Sequence, residues 1–366
     1  MRRSMRLAIV FLTVFVTITV LLVGGCMNKP APKPLPDMPQ GMNNQAAPSP
    51  PIAMPARMVI GYYENPYPGT PDQTGSFPSM KTFAQSMTGV GPFWYRATKE
   101  GTLETKESQI VYDTAKQLGL KIFPLITNKT GANDAVLGDA AVRTKVIGNI
   151  VKIVSEKPYD GVNIDFELLP QKYRDNLTAF MAELYSKLHP LNKLVIISVF
   201  PQVDVSPDVS GAYNYAELAQ NSDFLQIMTY DHHWSTSPPG PVAAIDWYEK
   251  NIQYAIDAAG GPNKVIIGVG AYGYDWPKSG TGETIKYVDA IVQAEKSGAK
   301  INYDEQSQAP WFKYKDREVW FENDKSIGTK LDVIAKYNPA GIAIWRLGQE
   351  QPEIWDLINQ KFPKQQ

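Results

Sequence analysis

Eight short apolar runs alternate with amphipathic helical patterns along the chain, and this alternation limits the fold more than any other feature. The predicted strands begin at Met58, Gly89, Lys121, Gly161, Leu194, Phe224, Val265 and Gly341. The predicted helices are Glu107–Leu118, Ala141–Glu156, Gln171–Leu188, Ala243–Ala259 and Ile327–Tyr337. Strands that alternate with helices form parallel sheets. Eight such units in roughly 300 residues therefore predict an α/β protein with a (β/α)8 TIM barrel over residues 58–366.

One connection is longer than the others. The segment 272–339 separates the seventh and eighth predicted strands, and it contains the helical pattern TIKYVDAIVQAEKSG and the strand-like PWFKYKDREVWFEN. We interpret it as a small α+β insertion. Because loops at this position join strand ends on the face where barrel enzymes hold their active sites, we favour one wall of a binding cleft over a packing appendage.

Residues 1–26 have the layout of an export signal. The basic MRRSMR precedes the apolar LAIVFLTVFVTITVLLV, and LVGGC ends at Cys26, the single cysteine. This resembles a bacterial lipobox, so we predict cleavage before Cys26 and attachment of lipid to its sulfur. An uncleaved membrane anchor is the alternative, because Leu7–Val23 is almost long enough to span a bilayer. Both interpretations place the rest of the chain outside the cytoplasm, held at the bacterial cell membrane.

Residues 27–57 predict a tether. Proline, alanine, asparagine and glutamine dominate this segment without any hydrophobic period, which is typical of extended disordered linkers. With one cysteine in the whole chain, the domain that follows forms no internal disulfide. Its stability must therefore come from a large core.

The composition excludes several classes of function. The formal net charge of −1 and the lack of a basic stripe give no electrostatic case for nucleic acid. We find neither zinc-type cysteine spacing nor a glycine-rich phosphate loop, so we expect no cofactor. His232 and His233 are adjacent, but neighbouring side chains point apart and no third ligand is evident, so we expect no metal. We expect a monomer.

The fourth predicted strand carries an unusual set of polar residues. In the segment YDGVNIDFELLP, three apolar residues alternate with Asn163, Asp165 and Glu167. Successive strand side chains point to opposite faces, so an amide and two carboxylates share one face. Buried acids cost free energy unless they are paired, hydrated or used. A polar layer filled by water or arginine is the structural alternative, but Glu167 lies at the strand end, where barrels hold reactive residues.

Two carboxylates suggest glycoside hydrolysis, which usually employs a pair of them. The spacing conflicts with the usual pair, because strand residues i and i+2 lie about 7 Å apart and share one pocket. They lie on the same side of any bound sugar and cannot flank the scissile bond. One of them can serve as the acid, and the other must have a different role.

Asp160, Asn163, Asp165 and Glu167 match, with one departure, the DxxDxDxE signature of glycoside hydrolase family 18. This family contains chitinases and related N-acetylglucosaminidases on (β/α)8 barrels. SVFP, QIMTYDHHW and GIAIWRLGQE resemble its fifth, sixth and eighth strands, and the resemblance extends over most of the chain from Met58 onward. PPGPVAAIDW and WRLGQE resemble the bacterial branch that includes spore-cortex-lytic and germination glycosidases.

The resemblance implies a substrate-assisted mechanism, in which the acetamido oxygen of the sugar attacks its own anomeric carbon. Glu167 then protonates the leaving oxygen and later deprotonates the incoming water. Asp165 orients the acetamido N–H, Tyr230 holds the acetamido oxygen, and Trp345 stacks beneath the sugar ring. The charge of Asp165 is also expected to raise the pKa of Glu167.

Other residues extend the predicted sugar site. Met228 and Asp231 belong to the M-x-Y-D element of the sixth strand. Tyr62 and Trp94, near neighbouring strand ends, are candidates to stack on sugar faces, and a position in the core is the alternative for each. Asn163 departs from the aspartate that many family members carry. An amide can hydrogen-bond the neighbouring acid but takes no negative charge, so we expect catalysis to survive with an altered pH profile.

The mechanism requires a 2-acetamido sugar at the cleaved position, which implies a β-1,4-linked polysaccharide that contains N-acetylglucosamine. Chitin and peptidoglycan both qualify, and a protein tethered to the membrane meets peptidoglycan first. Two non-enzymatic alternatives are a glycan-binding envelope lipoprotein and a germination or assembly protein with protein partners. The presence of Glu167, Asp165 and Tyr230 favours the enzyme.

Overall fold

The computed structural model describes residues 57–66 and 75–363. The predicted export signal, Cys26 and all but the last residue of the predicted tether lie outside these residues. Within the described ranges, no helix combines the length and the apolar character that are needed to cross a bilayer.

The strands and helices are numbered here in chain order. The strands are β1 (Met58–Tyr63), β2 (Gly89–Pro92), β3 (Tyr95–Ala97), β4 (Leu103–Thr105), β5 (Lys121–Ile122), β6 (Leu125–Asn128), β7 (Gly161–Asp165), β8 (Leu194–Val199), β9 (Phe224–Ile227), β10 (Val265–Gly270), β11 (Gly273–Pro277), β12 (Glu283–Ile285), β13 (Asn302–Asp304), β14 (Ala309–Tyr314), β15 (Arg317–Phe321) and β16 (Gly341–Trp345). The helices are α1 (Ser76–Thr82), α2 (Gln109–Gln117), α3 (Asn133–Val136), α4 (Ala140–Glu156), α5 (Arg174–Leu188), α6 (Pro207–Ser210), α7 (Tyr215–Gln220), α8 (Ile245–Ala259), α9 (Tyr287–Ser297), α10 (Asp324–Tyr337) and α11 (Ile354–Lys361).

Eleven strands form one sheet whose parallel pairings return to their starting point. β1 pairs with β2 and with β16, and β6, β7, β8, β9, β10 and β16 pair in succession. β2 and β3 follow each other in the chain, as do β5 and β6. Because β2 pairs with β5 and β3 pairs with β6, β2 and β3 together act as one strand of the ring, and β5 and β6 together act as the next. β4 adds an antiparallel hairpin to β3. The eight resulting parallel strands each contain one predicted run, and they are consistent with the predicted barrel.

The sheet separates two layers of apolar side chains. The larger layer lies outside the sheet, where Ile164 and Phe166 belong to the same buried cluster as Phe180 and Leu184 of α5. A smaller cluster fills the interior with residues such as Ile60 and Ile266. Burial on both faces explains why the strands read as nearly continuous apolar runs.

Close strand packing at the N-terminal end of the sheet requires glycine. A Cβ on Gly161 would lie 2.1 Å from the carbonyl oxygen of Leu194, which no side chain tolerates. The neighbouring Asp160 also belongs to this end, because its Oδ2 accepts hydrogen bonds from the N–H of Ile122 at 2.9 Å and from Lys116 Nζ at 3.0 Å. The first acid of the sequence signature therefore ties β5 and α2 to β7.

A second sheet lies between β10 and β16 in the chain. Its strands are antiparallel and follow the order β12-β11-β15-β14-β13. Ala290 and Ala294 of α9 are buried with Phe312 and Phe321 of this sheet. The sheet and α9 occupy Gly273–Phe321, within the segment predicted as an insertion, whereas α10 packs against α8 and α11.

Candidate active site

A cavity of about 150 Å³ opens where the parallel strands end. It is lined by side chains from six of the barrel strands or the residues that follow them. These are Tyr62, Leu125, Asp165, Glu167, Ser198, Phe200, Gln226, Met228, Tyr230, Asp231 and Trp345. The structure thus brings together seven residues that the sequence places at the sugar site, namely Glu167, Asp165, Tyr230, Asp231, Met228, Trp345 and Tyr62.

The alternation of β7 delivers its acids to this cavity. Asn163 and Asp165 are 1% and 3% exposed, and Glu167, just beyond the strand end, is half-buried. Asp165 stands opposite Thr127 of β6 in the parallel register. The apolar residues that alternate with the acids along β7 point into the outer core. A shift of one residue in the pairing of β7 would therefore exchange its two faces.

Asp165 has acceptor capacity that the described protein does not use. Its Oδ1 is buried and has no hydrogen-bond partner within the described residues. Burial raises the pKa of Asp165, and the nearby hydroxyl group of Ser198 only partly opposes this. The carboxyl group is therefore prepared to receive a donor from outside the chain.

Glu167 has the character of a proton donor. Burial raises the pKa of its carboxyl group, and the negative charges of Asp165 and Asp231 raise this pKa further. A carboxyl group that keeps its proton near neutral pH can act as a general acid. The expected influence of Asp165 on Glu167 is present, but desolvation is the larger cause.

Asn128, which the sequence reasoning did not single out, holds the backbone of Glu167. Its Oδ1 accepts a hydrogen bond from the N–H of Glu167 at 2.8 Å, and its Nδ2 donates to the carbonyl oxygen of Glu167 at 2.9 Å. Nδ2 also donates to Asn133 Oδ1 at 2.9 Å. Asn128 is the last residue of β6, one position past the predicted strand. A polar residue at the C-terminal end of a barrel strand was the available signal.

Asn163 belongs to a polar network whose other members, Tyr62, Ser198 and Gln226, line the cavity. Its Nδ2 donates to Tyr62 Oη at 2.6 Å, and Ser198 Oγ donates to its Oδ1 at 3.1 Å. Tyr62 Oη and Ser198 Oγ each lie 3.0 Å from Gln226 Oε1. The amide therefore joins β1, β7, β8 and β9, and the hydrogen bond to Asp165 that the sequence suggested is replaced by these contacts.

The M-x-Y-D residues follow β9, which is separated from β7 by β8 alone. Tyr230 is 8% exposed and Met228 is 6% exposed, and both pack with residues of β11. Asp231 adopts a left-handed backbone with φ of 59°. Its Oδ1 accepts hydrogen bonds from Tyr272 Oη at 2.5 Å and from Tyr274 Oη at 2.9 Å. These two tyrosines connect the catalytic face to the start of the second sheet.

The predicted aromatic residues occupy different positions. The ring of Trp345 lies 5.5 Å from that of Tyr62 and lines the cavity. Trp94 does not line it, because its ring is 2% exposed and packs 6.3 Å from Tyr159. Arg346, the residue after Trp345, pairs through Nη2 with Glu64 Oε2 at 2.6 Å.

The rings of the adjacent histidines lie close together, with centroids 5.1 Å apart and an edge-to-face orientation, although the sequence led us to expect them to point apart. His232 stacks on Trp247 with ring centroids 4.6 Å apart, and burial lowers its pKa to about 4. His233 Nδ1 contacts the carbonyl oxygen of Pro238 at 2.9 Å. Among residues 57–66 and 75–363, no group of three histidine, cysteine, aspartate or glutamate side chains is arranged to hold a metal ion.

Comparison with known families agrees with this arrangement. The model of the family Glycosyl hydrolases family 18 matches residues 78–350. The chain belongs to glycoside hydrolase family 18. It is therefore a member of a family of glycosidases, and the match includes β2–β16 with the acids of β7 and the M-x-Y-D residues.

Several family members are similar over most of their length. The cortical fragment-lytic enzyme of Bacillus subtilis is 28% identical over 294 residues, which cover 75% of this chain and 68% of the relative. The spore cortex-lytic enzyme SleL of Bacillus megaterium superposes with a TM-score of 0.76 at 27% identity, covering 87% of this chain and 76% of that one. A chitinase of Chromobacterium violaceum superposes with a TM-score of 0.75 at 27% identity, covering 85% and 100%.

Replacement of Asn128 by alanine is expected to reduce kcat by roughly 10²-fold with little change in KM, since a displacement of about 1 Å at a catalytic group has this effect. The measurement is steady-state hydrolysis of N-acetylglucosamine oligomers. Asn133→Ala is the matched control, because Asn133 accepts a hydrogen bond from Asn128 and, within the described residues, has no hydrogen bond to Glu167. This variant should retain most of the activity. Equal losses in both variants, or a loss confined to KM, would contradict the positioning role.

Replacement of Asp165 by asparagine is expected to raise Tm at pH 8 and to leave it unchanged near pH 4. The folded-state pKa of Asp165 is raised above its unfolded value, so ionisation destabilises the fold as pH rises from the unfolded pKa through the folded pKa. Each kcal/mol regained shifts Tm by about 2 °C in a chain of this size. Scanning calorimetry at the two pH values measures the difference.

Asp304→Asn is the control of opposite sign, because hydrogen bonds from Ser307 lower the pKa of Asp304. This carboxylate stabilises the fold above its unfolded pKa, and the contribution is lost as pH falls through the folded pKa. The variant should therefore have a lower Tm at pH 8. An Asp165→Asn variant that also melts lower at pH 8 would show that its carboxylate is stabilising.

Proposed function

We propose that this protein is a glycoside hydrolase that cleaves β-1,4 linkages after N-acetylglucosamine in peptidoglycan or chitin-like glycans by a substrate-assisted, retaining mechanism. One observation carries the proposal. Asp165 at the end of β7 and Glu167 just beyond it both line the cavity and both have a raised pKa, and within the described residues Oδ1 of Asp165 has no hydrogen-bond partner. This arrangement suits a donor to the leaving group beside an orienting carboxylate.

In the first step, the acetamido oxygen of the sugar attacks the anomeric carbon while the glycosidic C–O bond breaks. Glu167 transfers its proton to the departing oxygen, and an oxazolinium ion forms. Asp165 accepts a hydrogen bond from the acetamido N–H and offsets the positive charge. Tyr230, buried but facing the cavity, donates to the acetamido oxygen, and Trp345 supports the apolar face of the ring.

In the second step, water attacks the anomeric carbon from the side that the leaving group vacated. Glu167, now ionised, takes the proton from this water, and the acetamido group is restored. Two inversions at carbon one retain its configuration. The enzyme ends the cycle with Glu167 protonated, as it began.

Asp231, which lines the cavity after β9, is an alternative nucleophile that could attack the anomeric carbon in place of the acetamido oxygen. Its Oδ1 is occupied by two tyrosine hydroxyl groups, and hydrogen bonds of this kind reduce the nucleophilicity of a carboxylate. The two routes differ in what they demand of the substrate. The acetamido route fails on sugars that have only a hydroxyl group at carbon two, whereas attack by Asp231 would proceed on them.

Similarity to relatives supports the substrate class. The proteins described as cortical fragment-lytic enzyme and spore cortex-lytic enzyme match this chain at 28% and 27% identity. A chitinase matches at the same level. We infer that the substrate is a glycan containing N-acetylglucosamine, with wall glycan favoured, and that the second sheet forms one wall of the cleft through Tyr272 and Tyr274.

Glu167→Gln is expected to lower kcat by about 10²–10⁴-fold, the usual contribution of a general acid, while the Kd for the glycan stays within a few-fold. Wild type and variant are compared on N-acetylglucosamine oligomers and on purified glycan strands, and mass analysis identifies the new ends. A glucan with hydroxyl groups at carbon two is the matched substrate control. Binding without release of ends by either protein would instead support the non-catalytic glycan-binding lipoprotein.

We infer that lipid on Cys26 anchors the enzyme to the outer face of the bacterial membrane. The support is the sequence LVGGC after a long apolar run. Cells supplied with a labelled fatty acid should incorporate the label into the wild-type chain and not into Cys26→Ser. Labelling that survives this replacement would contradict lipid attachment at the cysteine.

A further inference from the structure

Arg96 is an unpaired cation beside the catalytic cavity. The residue is half-buried. Within the described parts of the chain, its guanidinium group has no hydrogen bond and no carboxylate within 4.0 Å. Each of the other arginines in these parts pairs with a carboxylate or donates to a carbonyl oxygen; they are Arg57, Arg143, Arg174, Arg317 and Arg346. A guanidinium group carries five donors and stays charged at all physiological pH values. The guanidinium nitrogens of Arg96 are open to solvent, so they can donate to a bound ligand.

The register of the sheet places Arg96 on the catalytic side. Arg96 of β3 is aligned with Thr127 of β6, which is aligned with Asp165 of β7. Aligned residues in neighbouring strands point to the same face, so all three side chains leave the inner face of the barrel at one level. Since adjacent strands lie about 4.8 Å apart, the backbones of Arg96 and Asp165 are on the order of 10 Å apart.

The guanidinium group of Arg96 borders a small cavity, the Arg96 notch, which is lined by Phe93, Trp94, Tyr95, Arg96, Glu104 and Lys106. Its volume of about 30 Å³ holds roughly two water-sized oxygen atoms. It is too small for a sugar ring and suits a substituent on one. Phe93 lines the notch, and its ring centroid lies 6.5 Å from that of Trp345, which lines the main cavity.

The acid in the notch is held by a lysine outside it, and it also interacts with the positive charge of Arg96. Glu104 lies opposite Arg96 in the β3–β4 ladder but pairs with Lys129. Lys129 is also the main cause of the lowered pKa of Glu104, so this carboxylate remains ionised and engaged. Lys106 contributes a second positively charged residue to the lining. Its carbonyl oxygen accepts a hydrogen bond from Asn65 Nδ2, and Asn65 Oδ1 accepts one from Trp94 Nε1 at 3.1 Å.

We propose that the Arg96 notch binds a carboxylate carried by a sugar next to the cleaved N-acetylglucosamine, so that the enzyme prefers acidic wall glycan to neutral chitin. The inference rests on the proposed glycosidase function. Arg96 supplies a planar pair of donors that matches a carboxylate, and Lys106 adds charge. The carboxylate belongs either to the lactyl group of a muramic acid or to a stem peptide attached to it.

The test compares Arg96→Gln with wild type on four substrates. These are neutral N-acetylglucosamine oligomers, stem-free glycan strands with free lactyl carboxylates, the same strands with their carboxylates amidated, and strands that keep their stem peptides. We expect kcat/KM to fall about tenfold on a carboxylate-bearing substrate and to stay within twofold on the neutral and amidated ones. A loss on stem-free strands identifies the lactyl carboxylate, and a loss on stem-bearing strands alone identifies the peptide.

Two further variants separate geometry from charge. Arg96→Lys should fall between wild type and Arg96→Gln, because it keeps the charge but loses the planar pair of donors. Lys99→Gln removes a positive charge from an exposed lysine just beyond β3 that does not line the notch, and it should behave as wild type. Equal losses on acidic and neutral substrates, or indifference of the wild type to amidation, would overturn the proposal.

Measurements of glycan binding test the role of the Arg96 notch independently of hydrolysis. In the Glu167→Gln background, the Kd for free and amidated stem-free strands, and for stem-bearing strands, is measured with and without Arg96→Gln. Tighter binding of a carboxylated strand that disappears with Arg96→Gln supports the notch even if the wild type cleaves none of the substrates. Absence of cleavage by the wild type would count against the proposed function alone, whereas equal binding of all strands would count against the notch.

Discussion

Carboxyl groups held in a water-poor cavity without a neighbouring cation are the constraint on which the site depends. None of the described residues that line the main cavity is a lysine or an arginine. Burial raises the pKa of Asp165, Glu167 and Asp231, and the negative charges of Asp165 and Asp231 raise the pKa of Glu167 further. Such an arrangement destabilises the fold at neutral pH, and it supplies a protonated carboxyl group where the proposed reaction needs one.

The rest of the barrel keeps these groups in place. A carboxyl group with a raised pKa would otherwise turn toward water, so its backbone has to be fixed. Asn128 holds Glu167 from the neighbouring strand, and Tyr213 donates a hydrogen bond to the carbonyl oxygen of Phe166 at 2.7 Å. After β9, the hydroxyl groups of Tyr272 and Tyr274 hold the carboxyl group of Asp231. The cost of burying the acids is offset by apolar packing outside the sheet rather than by ion pairs inside it.

The strand order and the positions of the acids could be predicted from the sequence because both follow from short-range periodicity. Alternation along β7 predicts which residues share a face, and the strand end predicts which acid is outermost. Contacts between strands could not be predicted, since they depend on register. Asn128 and Glu167 are far apart in the chain, and only the alignment of β6 with β7 brings them together.

The sequence also could not predict which individual aromatic residues are buried in the core and which line the cavity. Tyr62 and Trp94 both follow apolar runs, yet Tyr62 lines the cavity while Trp94 packs against Tyr159. The break between β2 and β3 decides this, because the ring changes strand pairing from β5 to β6 at that point. Periodicity does not reveal such a break. The unpaired state of Arg96 was hidden for the same reason, because it depends on Glu104 pairing with Lys129 across the sheet.

The distribution of charge limits where an acidic glycan can sit. A carboxylate on the sugar at the cleavage point would lie beside three carboxyl groups in a cavity of low polarity, where like charges repel strongly. That position therefore favours a neutral sugar such as N-acetylglucosamine. Any recognition of an acidic substituent has to occur outside the cavity, on the neighbouring sugar. Arg96 and Lys106 line a notch that shares no residue with the cavity that holds the acids, and the proposed binding of an acidic substituent would take place there.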